Sequence, residues 1–472
     1  MKKKTNFREY DQNQGLFTQI VPAELLEEEH PARVIDAVVE KLDLSRIFAA
    51  YSDEGKPAYH PRMMFKVLFY SYYCGILTSR KMSAALLSGR ADFIFLSGNQ
   101  VPDFRTLNEF RSRHIDELPN LFAQIVLICE SLDMIGFEHL ALDGQKIQAN
   151  ANFRQSMNRE RLEKRLKKIE EGMKKILESP ISESLPKETK RSRLADLQSK
   201  KEKLSDFMAE LARIQGEKNE DVAVNMTDPD APIMSHKDGR TLPSYNHQSA
   251  VDSLFGITCA VKTTDKPDQQ SDTLSLTDEA EKNAGRNLFR NVTADCAFGG
   301  MDFCETLANE KRLENFLVPD KRYEAWKKGK RGPYDSGCFL RGEQALLCPA
   351  GEFLEFAGRV GERGLKYVGS CCGECDYQEE CAAGKVRNVT IDEREGHLIS
   401  MRLKLNSEEG REIYRSRQGI VENGHGHDQK NLGWRQHGLS GLLKAGAEFM
   451  LMRIGANLGK IARYRSMEAL AL

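Results

Sequence analysis

With 472 residues the chain is too long for one compact core, so two to four domains are expected. Apolar residues make up 40% and charged residues 29%, which excludes a disordered or fibrous chain, and no run of eighteen apolar residues offers a membrane span. Lys and Arg number 69 against 70 Asp and Glu, so a nucleic-acid surface would have to come from segregated charge.

Met1–Lys4 is basic, but no apolar segment follows, and no secretory signal is expected. Val34, Ile35, Val38, Val39 and Leu42 then recur at helical steps. Pro61 suits the first turn of a helix over 62–73, with Met63, Met64, Val67, Leu68 and Tyr72 on its core face. Another helix is expected over 79–88. In 101–114, VPDFRTLNEFRSRH, Pro102 closes a loop and Asp103 can cap a helix. That helix turns Leu107 and Phe110 inward and leaves Arg105, Asn108, Arg111 and Arg113 mostly outward. The pair reads as a helix-turn-helix contacting DNA, against the plainer reading of a solvated bundle helix. One more helix covers 118–132.

The stretch 137–150, FEHLALDGQKIQAN, carries an apolar run ending in Asp143 and Gly144. A buried strand that delivers an acid to its end is one way to build a metal site in a mixed sheet. Asp-Gly is also a strong turn signal, and the stretch reads as a hairpin returning through 146–149. Next comes a heptad seam, Leu162, Leu166, Ile169, Met173 and Ile176, on a helix over 154–178. A Pro-containing break separates it from a second helix over 194–215, with Leu197, Leu204 and Leu211 seven apart. The two form an inserted antiparallel hairpin. Its first arm is rich in Lys and Arg, which suits either a solvated face or a phosphate contact.

From Asp228 the texture becomes turn-rich. Strands are expected over 244–252 and 255–264, with a turn at 253–254, and a helix over 274–284. A short strand over 291–294 ends at Asp295 and is followed by Phe298-Gly299-Gly300, the same pattern as at Asp143. A helix over 301–309 and a strand over 316–319 complete an alternating unit. Five of the eleven cysteines fall between 348 and 381. Cys372 and Cys375 form a C-x2-C knuckle, and with Cys348 and Cys381 they make a four-thiolate set for a structural Zn2+, Cys371 and Cys338 being substitutes. After strands over 389–391 and 399–405, Ser407 caps a helix with Glu408 and Glu409 in its first turn. That helix carries Tyr414, Arg415, Arg417, Val421 and Glu422, and a long closing helix covers 442–461.

Asp143, Asp295 and Glu422 are thus three distant acids, two at strand ends and one on a late helix. Converging carboxylates bind Mg2+ or Mn2+, and two such ions can clamp the attacking and leaving oxygens of a phosphoryl displacement. The chain resembles the DDE transposases of bacterial insertion sequences. The resemblance runs through PRMMFKVLFYSYYCGI, PDFRTLNEFRSRH, LDGQKIQANA, DPDAPIMSHKDGRTLPSYNHQSAVD, TADCAFGG, CPAG with the C-x2-C-x5-C knuckle, and YRSRQGIVENGHGHDQKNLGWR. It implies an α/β protein with an RNase H-like mixed-sheet core, and Asp143, Asp295 and Glu422 as its metal-binding catalytic triad. It also implies that Tyr414, Arg417 and a following Lys lie near the DNA ends in a Tyr–Arg–Glu–Lys signature. The expected lysine position is Gln429, with Lys430 one residue late.

The expected organisation is an all-helical DNA-binding domain over 1–134 and a catalytic core over 135–152 and 222–325. A coiled-coil hairpin is inserted over 153–221 and a cysteine-rich zinc insertion over 326–395. The rest of the core, with Glu422 and the closing helix, covers 396–472. The implied activity is metal-dependent cleavage at terminal inverted repeats followed by strand transfer. The implied partner is double-stranded DNA, held by a homodimer in the cytoplasm on the nucleoid, with no membrane involved. Two other readings stay open: a decayed, DNA-binding repressor, and a nuclease that never joins strands.

Overall fold

The computed structural model describes residues 8–9, 11–12, 21–52, 54–178, 187–218, 222–267, 272–285, 288–329, 340–341, 345–348, 350–370, 372–381 and 385–464. Of these, the side chains of 217–218, 326, 340–341, 345, 380, 422–423 and 425 fall outside the description.

The N-terminal region is helical: α1 (Pro31–Lys41), α2 (Ser45–Ala49), α3 (Pro61–Tyr73), α4 (Ser79–Leu87), α5 (Ala91–Ser97), α6 (Phe104–Arg113) and α7 (Leu118–Ser131). Val34, Ile35, Val38 and Val39 bury one face of α1. Helix α3 is buried nearly all round, and even its Lys66 is enclosed, with Nζ 2.6 Å from Asp36 and 2.5 Å from Glu40 on α1. Asp103 caps α6 through a bond from the Thr106 N–H at 2.7 Å. Two expectations fail here. Helix α5 intervenes between α4 and α6, so the two are not consecutive; its seven residues are too few to show a period, but Phe93, Phe95 and Leu96 bury it. Arg111 does not face solvent: it is 5% exposed and donates to Tyr72 Oη at 2.9 Å and Asn108 Oδ1 at 3.0 Å. Five donors on a long stem let an arginine sit inside when acceptors surround it.

Strand β1 (His139–Gln148) runs unbroken through Asp143 and Gly144, so the expected hairpin is absent. Residues 146–148, which a hairpin would fold back on 139–142, pair instead with a strand a hundred residues later. Periodicity reports a strand's faces but not its partner, and the turn propensity of Asp-Gly loses to nine paired positions. Between the two strands stands the helical hairpin. A two-stranded ribbon, β2 (Ser156–Met157) and β3 (Val224–Asn225), closes its base around α8 (Arg159–Glu178) and α9 (Lys187–Lys218). Leu162 of α8 packs with Leu204, Phe207, Leu211 and Ile214 of α9, as the heptads require.

Among the described residues the main sheet has six strands. Both β4 (Ile233–Ser235) and β6 (Thr258–Thr264) pair antiparallel with the long β5 (Thr241–Asp252); β5 pairs antiparallel with β1, and β7 (Asn291–Thr293) and β8 (Phe316–Leu317) follow in parallel. Helices α10 (Thr273–Asn283), α11 (Met301–Asn309) and α12 (Lys321–Lys327) follow β6, β7 and β8. The cysteine region carries a second, antiparallel sheet that the sequence concealed: β9 (Leu340–Arg341), β10 (Ala345–Leu347), β11 (Phe353–Val360), β12 (Gly364–Gly369) and β13 (Asn388–Asp392), with the four-residue α13 (Gln378–Cys381). Residues 399–405, expected as a strand, belong to helix α14 (Glu395–Asn406). Ile399, Met401, Leu403 and Leu405 alternate like a strand, but the buried set is Leu398, Ile399, Met401, Arg402 and Leu405, a helical spacing completed by a polar residue. Arg402 is buried because Nε and Nη2 reach Asp320 at 2.7 and 2.9 Å.

Helix α15 (Glu408–Gly426) leads into a π-helical turn, His427–Asn431, and α16 (Leu442–Tyr464) closes the fold. Gly455 lets α16 reach α3: a Cβ there would meet Tyr73 N at 2.9 Å. This close approach joins the helical region to the last helix of the chain.

Candidate functional site

Asp143 lies within β1, and Asp295 lies two residues beyond the end of β7. The strands are parallel, with Ala141 opposite Thr293. Two residues further along each chain segment stand the two acids: Asp143 shares the His139 and Ala141 face of β1, and Asp295 stands in the loop just beyond β7. Helix α15 lies across that face. Ser416 Oγ is 3.2 Å from His139 Nδ1, and His139 Nε2 is 2.7 Å from Thr293 Oγ1, so a buried histidine links α15, β1 and β7. Arg417 Nη1 donates to the Leu142 carbonyl at 3.2 Å and stands 3.6 Å from Asp143 Oδ1. Val421 packs on Ala141 and Val251. Glu422 is the next residue of the helix, and its side chain lies outside the described set.

Burial raises the Asp143 pKa, opposed by Arg417, the Gly144 N–H and Lys237. Asp295 Oδ1 accepts the Ala297 N–H at 2.8 Å, which fixes the turn after β7. Tyr414 is pushed up to about 12, chiefly by burial and further by Glu324, Asp295 and Cys296, with Arg417 opposing. It therefore keeps its proton at neutral pH. The three residues Tyr414, Arg417 and Glu422 thus ride one helix that spans both acid-bearing strands. Among the described residues no group of three His, Cys, Asp or Glu side chains could hold a metal ion. With the Glu422 carboxylate outside the description, the described hard-oxygen set is a pair.

Past Asp143 on the same face, Gln145 donates to Asp428 Oδ2 at 3.3 Å and receives a bond from Gln429 Nε2 at 3.4 Å. Asp428 is 1% exposed and paired with Arg453 of α16. This dock positions the end of the Glu422 helix, and nothing in the sequence reading pointed to it; the available signal was Gln145, two residues from Asp143 and so on its face. Gln429 fills the place of the expected lysine, and Lys430 is exposed beside it on the π-turn. On α6, Arg105 and Arg113 are exposed and Asn108 is half-buried, while Arg111 is spent internally.

His60, His114 and His139 are all lowered from the ordinary 6.5 to about 4, first by burial and then by nearby Arg or Lys. Unfolded histidines take up protons near 6.5, whereas the folded ones wait until about 4. Their contribution is therefore intact above pH 6.5 and lost as pH falls toward 4. Urea midpoints at pH 7.5 and pH 5.0 are expected to show a clear loss at the lower value, and His139→Gln is expected to shrink the difference.

Cys348, Cys372, Cys375 and Cys381 line one cavity of about 30 Å³ between β11, β12 and α13. Backbone N–H groups of Glu352 and Arg387 donate to the sulfurs of Cys348 and Cys372 at 3.3 and 3.4 Å. Gly369 leaves the space for this: a Cβ there would collide with Cys372 Sγ. The four share a cavity without forming a group that could hold a metal as they stand. Cys338 and Cys371 lie outside the described residues.

Asp143 on β1 and Asp295 just beyond the parallel β7 thus lie near a helix that brings Arg417 and Tyr414. Two family models match the chain: "Transposase domain (DUF772)" over residues 21–113, which is the stretch through α6, and "Transposase DDE domain" over 347–462, which takes in the cysteine knuckle, α15 and most of α16. Both matches are to transposase domains, and together they support a DDE transposase of insertion-sequence type. No curated protein and no solved structure matches it. Among the described residues, no helix is long and apolar enough to cross a membrane.

Proposed function

We propose that this transposase cuts phosphodiester bonds at the terminal inverted repeats of its insertion sequence and joins the freed ends to target DNA, with Asp143, Asp295 and Glu422 as the catalytic carboxylates. The observation that supports the reading is the register of β1 and β7, in which each aspartate stands two residues beyond a paired position, together with the packing of Arg417 and Val421 of α15 against β1. An RNase H-like core is supported by the strand order, in which antiparallel β6, β5 and β1 are extended by two short parallel strands. Separate apolar clusters support the hairpin and the cysteine-rich insertion as units of their own, whereas the N-terminal helices share one core with the main sheet and the closing helix.

Carboxylate oxygens suit a hard divalent cation, Mg2+ or Mn2+, and with such ions bound the site gains Lewis acidity toward a phosphoryl oxygen. The chain's own residues supply the rest. Asp143 and Asp295 offer the oxygen donors. Arg417 balances the Asp143 charge in the free protein and is placed to turn to a phosphate of the DNA end. Tyr414 stays a hydrogen-bond donor. Lys430 is proposed to meet the same DNA end, and Arg105, Asn108 and Arg113 the duplex at the N-terminal region. Two ends must be held together for strand transfer, which favours a homodimer in the working complex, on the nucleoid in the cytoplasm.

The test is incubation of purified protein with labelled end DNA, with Mg2+ or with chelator. Metal-dependent 3′ ends and joined products are expected. Ends without joined products would make the protein a nuclease, and binding without cleavage in either metal a repressor.

Cys348, Cys372, Cys375 and Cys381 are proposed to close around a structural Zn2+, supported by their shared cavity and by the N–H donors that stabilise thiolates. About one Zn2+ per chain is expected by elemental analysis. Cys375→Ser and Gly369→Ala should both lose it, the second by crowding Cys372. Full Zn2+ content in either variant would remove this assignment.

A further inference from the structure

Charge is segregated in the helical hairpin. Helices α8 and α9 together hold seventeen Lys and Arg against eleven Asp and Glu, a net of +6, in a chain whose net charge is −1. The remainder is therefore at −7. Within α8 the excess is ordered. Arg161, Lys168 and Lys175 are spaced seven apart, with Lys164 and Arg165 between them, so the five fall on one stripe of the helix. The stripe lies to one side of the Leu162 seam that packs on α9, and all but the half-buried Arg165 are exposed. Glu160 and Glu178 pair with Lys164 and Lys174 at the two ends of α8, and Glu170 pairs with Lys201 across the hairpin. None of these acids takes Lys168 or Lys175.

The base of the arm is fixed. Asn225 Nδ2 bonds Asn152 O at 2.8 Å and Ser156 Oγ at 2.9 Å, and Met157 and Val224 of the β2–β3 ribbon join the hairpin core. This base follows the C-terminal end of β1, the strand that carries Asp143 at its middle, five residues or about 17 Å before that end. A duplex at the two acids would therefore pass the root of the arm.

We propose that the basic stripe of α8 is a clamp for the phosphate backbone of double-stranded DNA beside the catalytic acids. The stripe spans fourteen residues, about 21 Å, close to the axial length of about six base pairs. Backbone contacts of this kind carry no sequence information; they hold the duplex and set its direction across the site. A membrane or an acidic protein would also favour cations, but the arm springs from the strand that carries Asp143, which commits it to the duplex on which the acids act. The proposal rests on the transposase reading for its partner, but its test reads binding without chemistry.

The experiment compares the full chain with Arg165→Gln/Lys168→Gln/Lys175→Gln and with a control, Arg290→Gln/Arg359→Gln/Lys385→Gln, which removes three exposed cations elsewhere. Binding to a random-sequence duplex is measured by fluorescence anisotropy in chelator from about 50 to 200 mM salt. Each cation withdrawn from a phosphate is expected to flatten the slope of log K against log salt by about 0.9, so the stripe variant's slope should be shallower by two to three, with binding at least tenfold weaker at the lowest salt. The control's slope should change by less than one. Helical circular dichroism equal to wild type keeps the result interpretable. Equal slopes for the stripe variant and wild type, or equal changes in both variants, would overturn the clamp. Failure of end cleavage in the wild type, with the slope difference intact, would count against the catalytic reading alone.

Discussion

Asp143→Asn is expected to lower metal-dependent end cleavage by about a thousandfold while leaving the protein as stable as before, or slightly more stable. The loss follows from removing a charged oxygen donor from a site of two or three such groups. The stability follows from burial. Asp143 is largely enclosed, and desolvation raises its pKa. A raised carboxylate pKa means that the folded state tolerates the charge less well than the unfolded chain does. That cost is full at neutral pH, begins to be relieved as pH falls through the raised folded pKa, and is gone below the ordinary carboxylate value of 3.8. Asparagine keeps the shape without the cost, although it gives up the partial compensation from Arg417. The expected signature is thus opposite movement of activity and stability, read from cleavage rates and urea midpoints on the same preparation. An Asp143→Asn protein that cut its ends at the wild-type rate would end the catalytic assignment. The same substitution is expected to weaken the pH dependence of stability on the acid side that Asp143 contributes.

The acids were legible because their surroundings repeat. An apolar run, an acid and small residues recur at Asp143 and Asp295, and chain order alone brought both to the sheet. What stayed hidden was pairing. Asp143-Gly144 reads as a turn until β5 occupies the far half of β1, and no local pattern announces a partner a hundred residues away. The same limit explains Arg111: helix periodicity places it on an outer face, but that face meets Tyr72 of α3, and a donor-rich side chain is buried by acceptors that the sequence does not locate. Residues 399–405 show the converse error. Their apolar alternation is real, but Arg402 supplies a buried helical position through Asp320, so the polar member of the set misleads a reading of apolar spacing. Capping was read correctly at Asp103 and Ser407 because a cap is local chemistry between residues three apart.

The second large effect concerns Asp428, an acid near Gln145 that a sequence search for a third ligand could mistake for Glu422. Its carboxylate is committed elsewhere: it is paired with Arg453 and accepts from Gln145, with 1% of the residue exposed. Arg453 is equally enclosed, and its Nε has no partner among the described residues. Removing one half of such a pair leaves an uncompensated charge inside, so Asp428→Ala is expected to cost about 3–5 kcal/mol. The π-turn would loosen from β1, and α15 would lose the anchor at its C-terminal end, so cleavage should fall as well. The double change Asp428→Leu/Arg453→Met removes both charges together and is expected to recover most of the stability. It should not recover full activity if the bond from Gln145 is what sets the end of the Glu422 helix. Recovery of both would reduce the pair to a packing element; recovery of neither would mean that the turn depends on the carboxylate for its shape. Either result separates Asp428 from the acids proposed to be catalytic, since a catalytic carboxylate would give lost activity at unchanged stability, the pattern expected at Asp143.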